Sequence, residues 1–196
     1  MALVLRKFAP PRNGKPVYHF APETAIADIL LEKYDSDYRP ADYEPELYSW
    51  SKVPVAKVDL SKPRNVFSKA SVRGFVHSHV LEHIPGSIER IISEMNEAIE
   101  PGGFHLFQVP IEQGWYREDM NPHLSREERE RIFKQDDHLR VFGDQDFDDR
   151  CLRLFSGFKQ IDLRREITGD ALEEAVVPRS TLTRYNGHTA FMFIKR

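Results

Sequence analysis

The stretch from Phe75 to Pro110 constrains the fold more than any other part of this sequence. It opens with a short apolar run, continues as a helical stripe of Ile and Met residues after Ser87, and closes with a second apolar run from Phe104 to Val109. Ser87 is a favourable N-cap residue, and Pro101-Gly102-Gly103 ends the helical pattern. A strand, a helix and a second strand in so short a stretch form a βαβ unit, which predicts a parallel sheet with helices on its faces.

Composition narrows the class of protein. A chain of 196 residues is long enough for one domain with a sizeable core. Its 28 basic and 31 acidic residues give a net charge of -3, which argues against binding to a nucleic-acid backbone. The single cysteine, Cys151, excludes an internal disulfide framework and suits a reducing compartment. With no long apolar run and no signal-peptide pattern, we expect a cytoplasmic protein without a membrane partner.

Two motifs in the central unit resemble those of a known family. The run Val80-Leu81-Glu82-His83-Ile84-Pro85, followed by Ala98-Ile99-Glu100-Pro101-Gly102-Gly103, is similar to the fourth-strand-to-fifth-strand region of class I S-adenosylmethionine-dependent methyltransferases. The resemblance implies a Rossmann-like α/β fold: a doubly wound, mostly parallel seven-stranded sheet whose last strand is antiparallel. Residues Ala190 to Ile194 fit that last strand. The resemblance also implies S-adenosylmethionine as the cofactor.

The first strand and helix are joined by an unusual turn. A strand at Pro16 to Phe20 and a helix from about Thr24 to Tyr34 would place a helix N-terminus against a ligand. The family has a glycine-rich loop here after an acidic residue, whereas this chain has His19-Phe20-Ala21-Pro22-Glu23. This motif resembles that of a bacterial sub-branch of the family, so all five residues are candidate cofactor contacts. The alternative is a plain turn in a protein that has lost cofactor binding.

Acidic residues follow the next two predicted strands. Asp42 lies about 20 residues beyond the first turn, the spacing at which an acid binds ribose hydroxyls in nucleotide-binding folds. Tyr43, the next residue, is also a candidate cofactor contact. The resemblance assigns the Asp59 carboxylate to the adenine amino group and the Leu60 amide to a ring nitrogen. The alternative for both acids is a turn-capping role, before Pro45 and before Ser61.

The predicted fourth strand ends in His77-Ser78-His79. Ser78 and His79 would lie at its carboxyl end beside the cofactor sulfur, because ligands bind outside such strand ends in open α/β sheets. The three histidines His77, His79 and His83 could suggest a metal, because His77 and His79 share one face of the strand and His83 lies on the following turn. We expect Glu82 and His83 to form local hydrogen bonds that shape this turn. A metal site also needs a third ligand and a second shell, so we expect none here.

Residues 111–145 lack a regular pattern and are predicted to form a lid-like insertion in a single domain spanning residues 1–196. The segment includes a capping box from Ser125 to Glu128 and the run Gln135 to Gly143, which resembles the sub-branch motif Q-x-D-H-x-R-x-Y-G. His138 is the candidate base, oriented by Asp137, with His79 as second choice. The candidate substrate contacts are Trp115, Tyr116, His123 and Arg140. The alternative for the charged members is a solvated loop.

These observations predict a methyltransferase acting on a small-molecule acceptor. The alternative is a catalytically inactive scaffold of the same fold that only binds the cofactor. A nicotinamide-dependent oxidoreductase would need a G-x-G-x-x-G sequence after the first strand, and the chain has none. The sequence carries no signal for the acceptor's identity or for the oligomeric state.

Overall fold

Strands and short helices alternate along most of this computed structural model, which describes residues 1–196. The ten strands are β1 (Val17–Phe20), β2 (Tyr38–Asp42), β3 (Ala56–Lys57), β4 (Val72–Ser78), β5 (Ile99–Gln108), β6 (Ile111–Glu112), β7 (Arg117–Glu118), β8 (Arg140–Gly143), β9 (Phe158–Ile161) and β10 (Ala190–Lys195). The seven α-helices are α1 (Ala2–Phe8), α2 (Thr24–Tyr34), α3 (Ile88–Ala98), α4 (Arg126–Phe133), α5 (Phe147–Arg150), α6 (Leu163–Glu166) and α7 (Gly169–Glu174).

Seven of the strands form the main sheet in the order β3-β2-β1-β4-β5-β10-β9. β10 is antiparallel to both of its neighbours, and the pairs formed by β1 to β5 are all parallel. The predicted fold class, a mostly parallel seven-stranded sheet with an antiparallel last strand, is therefore confirmed. The direction in which successive strands are added to the sheet reverses between β1 and β4. Such a reversal leaves a ligand crevice at the carboxyl ends of the strands.

The helix α3 begins as the sequence predicted. The Ser87 hydroxyl accepts a hydrogen bond from the Arg90 backbone N–H at 3.2 Å and caps the first turn. The helix buries its apolar stripe, and each buried Ile contributes about 1.5–3 kcal/mol. The helix stops earlier than its stripe suggested, because Ile99 already belongs to β5 and pairs with Val72 of β4.

Two apolar cores cover the two faces of the main sheet. α3 packs on one face, against residues such as Phe75 and Phe107. α1 and α2 pack on the other face, against Phe104 and Leu106. Alternate residues of β5 thus point into opposite cores, as strand geometry requires. None of the seven helices has the length and apolar composition needed to cross a membrane.

Residues 111–145, called the lid below, contain a small sheet of their own. Its strand order is β6-β8-β7, with β6 parallel and β7 antiparallel to β8. The sequence did not predict these short strands, but the capping box of α4 is confirmed, because Ser125 and Glu128 hydrogen-bond each other's backbone N–H. Gly143 is required by packing, since a Cβ there would overlap the backbone of Gly114 and Trp115.

Candidate functional site

The carboxyl ends of β1, β2, β3 and β4 lie side by side at one edge of the sheet. Phe20 of β1 is level with Ala41 of β2 on one side and His77 of β4 on the other, and Asp42 is level with Lys57 of β3. The residues that follow these strands are therefore neighbours in space. This edge, with the turns that follow it, is the crevice described below.

The turn after β1 lacks glycine but has a glycine-like backbone. Ala21 has φ of 48°, in the left-handed region, and its N–H donates to the Ala41 carbonyl at 3.2 Å. Its methyl side chain adds little bulk, so a ligand can still approach the backbone closely. Pro22 is buried beside it, and α2 begins at Thr24.

The side chains of His19 and Phe20 point into the protein and not into the crevice. Both are almost fully buried, and His19 Nδ1 lies 3.1 Å from the Tyr38 hydroxyl. Burial lowers the pKa of His19 to about 3, so the ring is neutral where the family has an acid. Only the backbone of these two residues is available to a ligand.

Asp42 and Asp59, the acids predicted to contact the cofactor, are both half-buried at strand ends. Asp42 accepts hydrogen bonds from the Glu44 N–H and the Tyr48 hydroxyl, each at 2.8 Å. Asp59 accepts from the Ser61 N–H at 2.9 Å, and its hydrogen bonding to Ser61 lowers its pKa. These are the contacts expected if both acids have only the turn-capping role. Each carboxylate oxygen nevertheless keeps a lone pair, so both acids can also accept from a ligand.

The neighbours of these acids differ in what they present to the crevice. Tyr43 is 62% exposed, and the Lys57 ammonium lies 5.3 Å from its ring centre. Leu60 has a buried side chain, only 6% exposed. Tyr43 can therefore contact a ligand through its ring, whereas Leu60 can do so only through its backbone, as the resemblance implied.

The turn after β1 meets the end of β4. Desolvation by neighbouring atoms raises the pKa of Glu23, while the nearby His79 and Ser78 lower it. His79 has a left-handed backbone with φ of 53°, and its Nδ1 lies 3.3 Å from Glu82 Oε1. The neighbouring Glu82 carboxylate is the main influence that raises the pKa of His79. Three predicted cofactor residues thus converge, together with Glu82.

His138 and Asp137 do not form the predicted pair. The Asp137 carboxylate lies 3.3 Å from Nδ1 of His83, and the His83 ring stands nearly perpendicular to that of His138 at 4.7 Å between centres. His138 is 5% exposed, and burial lowers its pKa. Asp137 therefore orients His83, a residue that the sequence interpretation had given only a local turn role.

The predicted substrate residues are spread over the lid. Trp115 is 63% exposed and His123 is exposed, whereas Tyr116 is half-buried and donates to Glu118 Oε2 at 2.6 Å. Arg140 is fully buried and donates to the Leu81 and Gly86 carbonyls. The Arg140 guanidinium fastens the lid to the turn after β4.

One cavity lies in a part of the chain for which no prediction was made from the sequence. It has a volume of about 600 Å³, lies between α1 and the segment that joins β9 to β10, and 14 of its 21 lining residues are hydrophobic. Sheet order places it on the opposite side of β1 from Asp42 and Asp59. His188 lines it, and the backbone of the adjacent Gly187 acts on His79. The cavity therefore adjoins the β4 end of the crevice.

The sequence carries only a weak signal for the segment between β9 and β10 that lines this cavity. Leu163, Ile167, Leu172 and Val177 recur between the last two strands, at intervals of four and five residues. No single helical or strand period fits these intervals. The short helices α6 and α7 were missed for that reason.

The sequence matches no protein-family model and no curated protein. Solved structures do match in fold. An S-adenosylmethionine-dependent methyltransferase from Mesorhizobium loti has a TM-score of 0.59 at 13% identity, over 99% of this chain and 96% of that one. The YcgJ protein of Bacillus subtilis has a TM-score of 0.59 at 12% identity, over 100% and 97%.

A third similar structure contains ligands. The 1,6-didemethyltoxoflavin-N1-methyltransferase of Burkholderia thailandensis, with bound 1,6-didemethyltoxoflavin and S-adenosylhomocysteine, has a TM-score of 0.52 at 15% identity, over 98% of this chain and 73% of that one. At such identities the likeness establishes a shared fold, that of class I methyltransferases, and leaves activity to be argued from the site.

Proposed function

We propose that this protein is an S-adenosylmethionine-dependent methyltransferase with a small-molecule acceptor. The observation that carries the proposal is the crevice at the switch point of the sheet, where Asp42 and Asp59 lie at the ends of the adjacent strands β2 and β3 with free lone pairs. Residues 1–196 act as one methyltransferase-like domain, with residues 111–145 as its lid. A reducing, cytoplasmic location accords with the single buried thiol of Cys151.

The hydrogen-bonding groups of the crevice fit the cofactor. Asp42 accepts from the ribose hydroxyls, Asp59 accepts from the adenine amino group, and the Leu60 amide donates to the ring. The residues that complete the cofactor contacts, through backbone or side chain, are His19, Phe20, Ala21, Pro22, Glu23, Tyr43, Ser78 and His79. The cofactor supplies a methyl group activated by a positively charged sulfur.

The chain's own contribution is alignment. Holding the acceptor atom in line with the methyl group can supply most of the rate by proximity, and a base is needed only for a protonated acceptor. His79 is the candidate proton acceptor that the geometry favours, since it is half-exposed at the end of β4 and its Nδ1 lies 3.3 Å from Glu82 Oε1. His138 and Asp137 are the alternatives, with His138 buried behind the turn.

The cavity between α1 and the segment that joins β9 to β10 fits the acceptor. Its volume of about 600 Å³ and mostly apolar lining suit a small molecule with an apolar body, because ligand pockets of this size bury most of a small ligand. Trp115, Tyr116 and His123 of the lid are proposed to contact the acceptor from the other side. The net charge of -3 supports a small molecule over a nucleic acid.

Calorimetric titration with S-adenosylhomocysteine tests the proposal. We expect one site in the wild type and an affinity about 10- to 100-fold weaker in Asp42→Ala and Asp59→Ala, because a hydrogen bond to a charged group contributes about 1.5–3 kcal/mol. Glu32→Ala, which removes an exposed acid of α2, is the matched control and should keep wild-type affinity.

Two results separate the alternatives. The absence of binding heat at millimolar S-adenosylhomocysteine would reject both the enzyme and the cofactor-binding scaffold. Binding without methyl transfer across a broad acceptor panel would favour the scaffold, to which the glycine-free turn at Ala21 points. His79→Ala should keep the affinity within about threefold, since His79 is proposed to contact the cofactor through its backbone and the acceptor through its side chain.

A further inference from the structure

Three potential metal ligands converge where the lid meets the turn after β4. Glu82 and His83 belong to that turn, and His138 comes from the lid more than fifty residues later in the chain. One ligand atom from each lies within 4.8 Å of the others. Glu82 is 0% exposed and His138 is 5% exposed.

The polar atoms of this group lack partners. Both carboxylate oxygens of Glu82 and Nδ1 of His138 are buried without a hydrogen bond. The His79 ring is 3.3 Å from Oε1 of Glu82, outside hydrogen-bond geometry, and no such contact reaches Oε2. Buried carboxylates are normally paired or coordinate a metal. The unpartnered lone pairs of Glu82 and His138 therefore point to a cation as their missing partner.

The surrounding residues provide a second shell. Asp137 lies 3.3 Å from Nδ1 of His83, the carboxylate–histidine arrangement that orients a metal-binding imidazole and leaves Nε2 for the metal. The two nearby arginines do not occupy the ligand atoms, because Arg129 donates to the His138 carbonyl and Arg140 to the Leu81 carbonyl. The His83 side chain is 36% exposed, which gives an ion a path from solvent.

We propose that Glu82, His83 and His138 bind a divalent transition-metal ion. Two imidazoles and one carboxylate are a ligand set that suits Zn²⁺ and related first-row ions, whereas Mg²⁺ and Ca²⁺ prefer oxygen ligands alone. The ion joins the lid to the turn after β4. The expectation of no metal, drawn from His77, His79 and His83, is revised. His77 is buried in the core, whereas His83 converges with Glu82 and with His138 of the lid.

Cobalt titration of the chelator-treated full chain tests the site. We expect saturable binding of about one Co²⁺ per chain, with the visible absorption of a nitrogen- and oxygen-ligated ion, and displacement by Zn²⁺. Zn²⁺ should also raise the melting temperature, while equal Mg²⁺ should not. No absorption band and no thermal shift would overturn the proposal.

Variants locate the site. His83→Asn and His138→Asn should each weaken Co²⁺ binding by about 100-fold or more, and Asp137→Asn by about 10-fold. His123→Asn, in the exposed part of the lid, is the matched control and should bind within about twofold of wild type. Because His83 is partly exposed, its variant should fold normally by circular dichroism. Unchanged affinity in both ligand variants would place the metal elsewhere and reject the assignment, whether or not the chain binds S-adenosylhomocysteine.

Discussion

Arg140 links the lid to the turn after β4. Its guanidinium is fully buried, and it donates to the Leu81 carbonyl at 2.5 Å and to the Gly86 carbonyl at 2.7 Å. Glu118 of β7 is the one carboxylate near it, at 3.5 Å from Nε. Arg140 thereby joins β8 to the turn that also carries His83.

Replacing Arg140 with Met should lower the free energy of unfolding by about 2–4 kcal/mol. The change leaves the buried Leu81 carbonyl and the partly buried Gly86 carbonyl without donors, and an unsatisfied buried acceptor costs about 1–3 kcal/mol. Chemical denaturation followed by circular dichroism measures the loss. Arg117→Met is the control: its ion pair with Glu112 is exposed, and the expected loss is below about 1 kcal/mol. Equal losses in the two variants would show that Arg140 does not anchor the lid.

Residue types were easier to predict than residue partners. The sequence indicated that Asp42 and Asp59 follow strands, because that depends on local order along the chain. It paired Asp137 with His138, since they are adjacent, whereas the structure pairs Asp137 with His83. Side-chain partners across the fold depend on how the lid packs, and a single sequence carries no signal for that packing.

At the scale of elements, the turn between β1 and α2 holds strain at the crevice. Ala21 adopts φ of 48°, which costs an L-residue with a Cβ about 1–2 kcal/mol. His79, at the end of β4, has a similar backbone conformation. Strained residues of this kind cluster at ligand sites, where the surrounding structure holds them in place.

Two substitutions at Ala21 should act in opposite directions. Ala21→Gly should raise the free energy of unfolding by a few tenths to about 1 kcal/mol, because glycine adopts this φ without strain but loses more entropy on folding. Ala21→Val should lower it by about 2 kcal/mol and abolish S-adenosylhomocysteine binding, since a branched side chain is unfavourable at positive φ and fills the approach to the backbone. Thermal denaturation and calorimetry measure both effects. A destabilised glycine variant would contradict the assigned conformation.

Long elements with one clear period were predicted well, and short ones were not. The bounds of α2 matched the prediction, and the start of α3 matched because Ser87 caps it. The helices α6 and α7, with four and six residues, and the two-residue strands β6 and β7 were missed. So few residues complete no helical turn pattern or strand alternation, and tertiary packing fixes their conformation.

At the scale of the whole molecule, three buried histidines make the fold sensitive to acid. His105 Nδ1 donates to Asn96 Oδ1 at 2.9 Å, so its Nε2 accepts from His77 Nε2 at 2.9 Å and both rings are neutral. Burial lowers the pKa of His77 and of His19 to about 3 and that of His105 well below its ordinary value. These rings lie on three neighbouring strands of the sheet.

Stability should therefore fall as the pH drops below about 6.5, because histidines in the unfolded chain then bind protons that these buried histidines in the folded protein do not bind. Each group adds a slope of up to about 1.4 kcal/mol per pH unit down to its folded pKa. The double variant His77→Phe/His105→Phe removes two groups and both partners of one hydrogen bond, and should show a shallower slope between pH 6 and pH 5. Urea denaturation at several pH values measures this, and parallel slopes in the two proteins would refute the assignment.

The position of β10 has a consequence for synthesis. It follows every other strand in the chain, yet it lies inside the sheet, between β5 and β9. While the ribosome is still translating residues 158–189, the outer side of β5 has no hydrogen-bonding partner, and β9 has no neighbour at all. An open strand edge invites pairing with other chains. The nascent protein thus depends on its last strand to close the sheet, and that interval is when it is most exposed to aggregation.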